Sequence, residues 1–235
     1  FIWHRMMPKF KLLKKVYFKI YHKVKREYPI PEILGRLSFC GFSIRWVSNI
    51  RGITYVVGQK TGQPSTDEHP SYGLLVSLRR VGKNGKRIGV YKFRTMYAYS
   101  EYLQGYAYDK NHLDDTGKIA DDFRVSGWGR KLRKYWLDEL PMLVNLLKGD
   151  VKLVGVRPLS RAMFETYPVE LQEKRTRCKP GLIPPFYIDH PQTFDELFAS
   201  EDKYLDEYFA HPFYTDCKYF FLTVHSILFK RMHSA

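Results

Sequence analysis

Apolar side chains recur at three- and four-residue steps through Phe10, Leu13, Tyr17, Ile20 and Val24, with lysines mostly between them. That period predicts a basic amphipathic helix over residues 8–28. Pro29 and Pro31 are expected to end it. The pattern then turns β-rich: Phe42–Ser48 and Ile53–Gly58 flank Asn49-Ile50-Arg51-Gly52, which reads as a hairpin. A polar stretch with two prolines, Gly62–Ser71, separates an N-terminal part, residues 1–71, from a second part, residues 72–235. A second hairpin is expected from Leu74–Arg80 and Arg87–Met96, joined through Gly82–Gly85, where Asn84-Gly85 is a strong turn signal. Two apolar-periodic segments in residues 129–148 are divided at Asp138-Glu139-Leu140-Pro141; a helix is predicted from there to Lys148, stopped by Gly149. After a turn-rich stretch, Lys179–Gln192, helices are predicted over Thr193–Tyr208 and Phe213–Phe229. The fold class is therefore α+β: β-hairpins packed with several short helices. No transmembrane span is expected, because the longest apolar run, Tyr219–Phe229, is about half of the roughly 20 residues a spanning helix needs.

Composition sharpens this picture. The 235 residues are 44% apolar and 16% aromatic, enough for a sizeable core. Thirty-nine Lys and Arg against twenty-four Asp and Glu leave a formal charge of +15, which directs attention to anionic partners. The excess is concentrated: residues 1–36 hold ten basic side chains and two acids. A lysine-rich amphipathic helix suits either a solvated face on its own domain or an anionic membrane surface. Cys40, Cys178 and Cys217 are odd in number and widely spaced, which argues against a disulfide framework and a structural zinc. The eight histidines show no ligand spacing, and no secretion signal is recognisable. The chain opens on Phe1, as expected of a piece cut from a longer product.

Several residues offer chemistry. Asp138 and Glu139 stand at the predicted start of a helix, where unpaired N–H groups favour negative charge. An ionised aspartate can attack phosphorus, and a neighbouring carboxylate can hold the divalent cation that offsets phosphate charge. The bland alternative is an acidic helix start with a helix-initiating proline. Along Val90–Met96, alternation puts Lys92 and Arg94 on one face, two cations suited to a diphosphate or to a solvated sheet face. Arg124, Arg130, Arg133 and Arg157 add planar guanidinium forks that match phosphate oxygens.

Taken in order, Lys92-Phe93-Arg94-Thr95-Met96, Asp122-Phe123-Arg124 with Gly127, Gly129-Arg130 and Leu132-Arg133, then Leu137-Asp138-Glu139-Leu140-Pro141, Asn145, Lys148-Gly149-Asp150, and Leu153-Val154-Gly155-Val156-Arg157-Pro158 resemble the bacterial sugar transferase family. These are polyprenyl-phosphate glycosyl-1-phosphate transferases of the monotopic type. The resemblance covers roughly residues 73–183. It implies an enzyme that transfers a sugar-1-phosphate from a UDP-sugar to a polyprenyl phosphate such as undecaprenyl phosphate, releasing UMP, at the start of exopolysaccharide, O-antigen, capsule or glycoprotein glycan assembly. It also implies Asp138 as the nucleophile of a covalent phosphosugar-aspartyl intermediate and Glu139 as a ligand of Mg²⁺. Lys92, Arg94, Arg124, Arg133 and Arg157 would contact the phosphates. The implied location is the cytoplasmic face of the bacterial inner membrane, reached by peripheral association or through an upstream segment.

Three departures from the family stand out. Before Arg80-Val81-Gly82 the family carries a long hydrophobic re-entrant helix, whereas residues 42–71 here read as a polar hairpin and linker. Val156 stands where proline is usual. After Lys179-Pro180-Gly181 this chain continues Leu182-Ile183-Pro184-Pro185-Phe186-Tyr187, where the family has a Gly-Trp-Ala-Gln-Val-Asn-Gly-Arg type segment, so substrate choice is expected to differ. Two other classes remain open: a non-catalytic relative that binds a nucleotide sugar or a partner, and a basic single-stranded nucleic-acid binder using eighteen tyrosines for stacking. The last lacks any zinc pattern, RNP-like string or helix-turn-helix, so nucleic acid is not the expected partner.

Overall fold

The computed structural model of the chain describes residues 11–20, 28–67, 70, 73–111, 121–189 and 191–229. It divides into two compact units, one of residues 1–68 with 97–104, the other of residues 69–96 with 105–235.

In the first unit, α1 (Lys11–Ile20) covers the middle of the predicted amphipathic helix; residues 8–10 and 21–27 of that prediction lie outside the described residues. The two prolines do not simply terminate it. Pro29 caps a new helix, α2 (Ile30–Phe39), whose first turn holds Pro31. Proline lacks an N–H, but the first turn has no partner for that group anyway, so prolines expected to end a helix are seen to open one. α2 approaches the 97–104 segment so closely that a Cβ on Gly35 would fall 2.4 Å from the Tyr99 carbonyl oxygen. Arg36 bonds the buried Glu32 at 2.8 Å and lies over the Tyr99 ring. The first hairpin follows as predicted, β1 (Phe42–Ile50) paired antiparallel with β2 (Ile53–Lys60). Its two-residue turn places Arg51 at φ 51° and Gly52 at φ 81°, the left-handed geometry that matches strand twist.

The second unit begins with the hairpin of β3 (Leu75–Val81) and β4 (Arg87–Phe93), turning through Asn84 and Gly85, both at positive φ. Among the described residues three helices precede the next strand pair, a separate two-stranded sheet: α3 (Gln104–Asn111), α4 (Gly127–Lys134), capped by Ser126, and α5 (Met142–Leu147), after which Gly149 at φ 73° stops the chain turning. β5 (Lys152–Val154) pairs in parallel with β6 (Gly181–Ile183), and between them run α6 (Arg161–Glu165) and α7 (Val169–Arg177). At their crossing a Cβ on Gly181 would lie 2.1 Å from the Gly155 nitrogen, so no side chain fits there. The stretch read as turn-rich thus contains β6 and a short helix, α8 (Phe186–Asp189). The chain closes with α9 (Phe194–Ala210) and α10 (Pro212–Phe229). The core gathers Val154, Val156, Tyr167, Leu171, Tyr204 and Leu205 from these elements. Among the described residues no helix is long and apolar enough to cross a membrane.

Candidate active site

The β3–β4 register sets which side chains face inward. Val76 opposes Lys92, Leu78 opposes Val90 and Arg80 opposes Ile88, and paired residues share a face. Val90 on that face is buried, so Lys92 and Arg80 lie on the packed side of the hairpin and not on a solvated one. Asn145, fully buried on α5, locks this strand to the segment that follows Trp136. Its Oδ1 accepts the Tyr91 N–H at 2.9 Å and its Nδ2 donates to the Gly89 carbonyl at 2.7 Å and to Asp150 at 3.1 Å. One amide thereby satisfies both groups of the open β4 edge.

Opposite this strand, Trp136 at φ 53° breaks the chain out of α4 into a single 3₁₀ turn, Leu137–Glu139. Its indole donates to the Tyr187 hydroxyl at 3.0 Å, fixing the turn against α8. The turn directs Glu139 toward Lys92, with which it forms a close ion pair, and toward Arg157, at 3.3 Å. Asp138 is buried, with Oδ1 lacking any hydrogen-bond partner in the protein. Arg133, from the last turn of α4, donates to Thr95 Oγ1 at 3.0 Å and is close enough to Asp138 for the two charges to attract.

The electrostatics follow from burial. Desolvation pushes the Asp138 carboxyl above the ordinary range; Lys92 and Arg133 pull it back, while Glu139 adds to the rise. Burial lowers Lys92, aided by the like charge of Arg157 and opposed by Glu139. Arg80 is lowered by burial and by Arg157. Four cations, Arg80, Lys92, Arg133 and Arg157, are thus held together at some electrostatic cost, an arrangement that anionic ligands relieve.

Arg157 is positioned from behind. Its backbone carbonyl accepts a 2.7 Å hydrogen bond from Arg175, which forms a buried ion pair with Glu201 and lies 4.7 Å from the centre of the Tyr167 ring. Burial takes Arg175 down to about 10.

Two cavities meet at Glu139. The larger, about 390 Å³, is lined by Arg80, Lys92, Glu139, Arg157, Phe186 and Phe194 among others. The smaller, about 210 Å³, is almost wholly apolar, formed by Trp136, Leu140, Leu143, Leu182, Ile183 and Tyr187. The segment Leu182–Tyr187, which departs from the family pattern, contributes to both.

Of the eight residues singled out in the sequence, the structure gathers Asp138, Glu139, Lys92, Arg133 and Arg157, and leaves Arg130 exposed, paired with Asp121 at 3.2 Å. Neither cavity is lined by Arg94, Arg124, Arg133 or Asp138; Asp138 joins the site through its charge interactions with Lys92 and Glu139, and Arg133 through those with Asp138 and Arg157. β4 ends at Phe93, so strand alternation no longer governs Arg94, whose Nε donates to the Gly73 carbonyl at 2.6 Å. Arg124 is buried, with its guanidinium doubly bonded to Asp122 at 2.9 and 2.8 Å. Those bonds and the nearby cations outweigh the effect of burial and hold Asp122 below the usual carboxylate range. Sequence reasoning missed Arg80 as a site residue. Its even-numbered spacing in a strand opposite Lys92 was the available signal, and only the hairpin register converts it into a shared face. Asn145 and the Arg175–Glu201 pair depend on contacts across 54 and 26 residues and carry no local signal.

Among the described residues no three His, Cys, Asp or Glu side chains converge as a metal cage. The adjacent carboxylates of Asp138 and Glu139 fit a different mode, in which Mg²⁺ is held by one or two carboxylates together with substrate phosphates and water.

The sequence pattern of the family described as bacterial sugar transferase matches residues 68–230. The chain is similar to galactosyl transferase CpsE of Streptococcus agalactiae, 34% identical over 160 residues that make up 66% of this chain and 34% of that protein. It is 34% identical over 152 residues to the uncharacterized sugar transferase EpsL of Bacillus subtilis, covering 63% of this chain and 67% of that one. Over 109 residues, 44% of this chain and 23% of the relative, it is 38% identical to the undecaprenyl-phosphate galactose phosphotransferase of Salmonella typhimurium. The similarity thus spans about a third of CpsE and under a quarter of the Salmonella enzyme.

Proposed function

The chain belongs to the bacterial sugar transferase family, and from that premise we propose that it transfers a sugar-1-phosphate from a UDP-sugar to a polyprenyl phosphate, releasing UMP. The observation that carries the reading is the meeting of a cation-lined cavity and an apolar groove at Glu139, whose chain neighbour Asp138 is buried with an unpartnered carboxylate oxygen. A diphosphate donor needs the first and a prenyl acceptor the second.

In this reading an Asp138 carboxylate oxygen attacks the phosphorus that bears the sugar. An aspartyl O–P bond forms as the bond to the UMP oxygen breaks, and UMP leaves with the electron pair. The phosphate oxygen of the acceptor then attacks the same phosphorus and displaces Asp138. Arg80, Lys92, Arg133 and Arg157 supply fixed positive charge where two anions must approach one another. Glu139, with Asp138 beside it, would hold Mg²⁺, which when bound offsets the phosphate charge. Lys92 and Arg157 keep the Glu139 carboxylate oriented in the meantime. The acceptor's first isoprene units would lie along Leu140, Leu143, Leu182 and Ile183. The sequence departure at Leu182–Tyr187 touches both cavities and is the place where donor choice would be set. The protein would work at the cytoplasmic face of the membrane, with the lysines of α1 toward anionic lipid.

The test is incubation of the protein with a panel of UDP-sugars, Mg²⁺ and a polyprenyl phosphate, with the nucleotide product identified. UMP is expected. Release of UDP would mean ordinary glycosyl transfer, and no nucleotide product with any donor would overturn the assignment.

A further inference from the structure

The hairpin of β1 and β2 precedes the residues matched by the family pattern, and its outer face breaks the usual rule for a half-buried sheet. The register places Trp46 opposite Val57, Ser48 opposite Tyr55 and Ile50 opposite Ile53, all on one face. On that face Trp46, Ile50, Ile53, Tyr55 and Val57 are each 46–60% exposed. The other face also carries apolar side chains, the half-buried Val47 and Val56. Residues 42–60 include three cations, Arg45, Arg51 and Lys60, and no acid. A patch of large apolar side chains held on a regular two-stranded platform marks an interaction site more than a tolerated accident.

We propose that this face is a docking surface for an anionic lipid bilayer, taken up at the depth of the headgroups. The composition is graded along the ribbon. Ile50 and Ile53 form the tip around Arg51, and Tyr55 and Trp46 follow behind, the residue types whose amphipathic rings settle at a membrane interface. Cations without neighbouring acids favour negatively charged headgroups. The same charges disfavour a second copy of this chain as the occupant. Face-to-face pairing would bring together Arg51 at the tip and Arg45, which donates to Gln59 on this face, from each copy, with no acid of the hairpin to offset them. Depth is limited by the backbone: a two-stranded ribbon has unpaired N–H and C=O groups along both outer edges, which water and headgroups satisfy but hydrocarbon does not. This surface deepens the proposed function by bringing the chain to the leaflet where a polyprenyl phosphate resides, and it can be tested without that function.

The experiment uses the full chain and vesicles of phosphatidylcholine alone or mixed with phosphatidylglycerol. Co-sedimentation is expected with the anionic vesicles. The double variant Ile50→Asp/Ile53→Asp should lower the partition coefficient about tenfold or more with unchanged circular dichroism and thermal midpoint, since both side chains are exposed. Exchanging Lys14, Lys15 and Lys19 for Gln should remove a salt-sensitive part of binding and leave the isoleucine effect in place. Equal partitioning of the isoleucine variant and the parent would overturn the proposal. So would a parent that sediments as a dimer, a monomeric variant and unaltered vesicle binding, which together would assign the face to self-association. UMP release onto a detergent-dispersed acceptor should be the same in parent and variant and fall only with a vesicle-embedded acceptor. If neither protein releases UMP, the enzymatic reading fails while the vesicle result stands.

Discussion

Glu139 pairs with the Arg157 side chain and Glu201 with Arg175, which holds the Arg157 carbonyl, yet their surroundings differ. Glu201 pairs with Arg175, and the two side chains are 1% and 4% exposed. Glu139 pairs with Lys92 and Arg157 at 13%, 16% and 39% exposure, with an unpartnered oxygen of Asp138 next door. Like-charged residue types therefore make a closed joint in one place and an open one in the other. The closed joint holds the Arg157 backbone, and the open one presents the Arg157 side chain to a cavity. Saturation of hydrogen bonds, more than the presence of buried charge, separates a strut from a site.

Substitutions can break this contrast. The largest effect is expected from Asp138→Asn, which removes the reactive charge and almost no volume: UMP release should fall on the order of 10³-fold or more. Its thermal midpoint should hold or rise at neutral pH, because the carboxyl's raised pKa means that its ionised form disfavours the fold. Retained turnover would remove Asp138 from the mechanism. At the closed joint, Arg175→Met should cost about 3–5 kcal/mol of stability by stranding Glu201, and adding Glu201→Leu should recover most of it, as read by denaturant titration. The analogous pair at the open joint, Lys92→Met with Glu139→Gln, should recover no activity. Matching behaviour of the two pairs would erase the distinction.

A smaller loss is expected for Asn145→Ala, about 2 kcal/mol in stability, because the Tyr91 N–H and Gly89 carbonyl would lose their partner. Turnover should drop about tenfold, since Lys92 sits beside those groups on β4. The subtlest effect is on pH. In the proposed mechanism ionised Asp138 is the reactive form, so the rate should fall as acid takes the solution through its raised pKa. Lys92→Met removes a charge that favours ionisation and should move the acid limb of the residual rate to higher pH; Glu139→Gln removes a repelling charge and should move it lower. A limb that stays put in both variants would assign it to another group.

How much of this was legible beforehand depended on distance along the chain. Both hairpins announced themselves through local turn residues, Arg51-Gly52 and Asn84-Gly85, and the helices ending at Ala210 and Phe229 through long apolar periods. The three-residue strands β5 and β6 have no period to read and exist because a partner 29 residues away in sequence fits them. α2 was hidden because its prolines read as a stop, though proline suits the first turn of a helix equally well. At the site, residue type pointed to the acidic doublet and its cations, and fold register decided which cations arrive: Arg80 joins from the opposite strand, whereas Arg94 falls beyond the last paired residue and Arg124 is claimed by Asp122.

The bare crossing of Gly155 and Gly181 has an engineering consequence. It acts as a weld between the stretch that carries Arg157 and the Leu182–Tyr187 stretch that walls both compartments, so the two meet at a point fixed by main chain alone. A loop graft from a relative, inserted just past that point, would exchange the wall without transmitting its side-chain bulk to Arg157, which under the proposed function makes this short cassette the natural place to retune which sugar is handled.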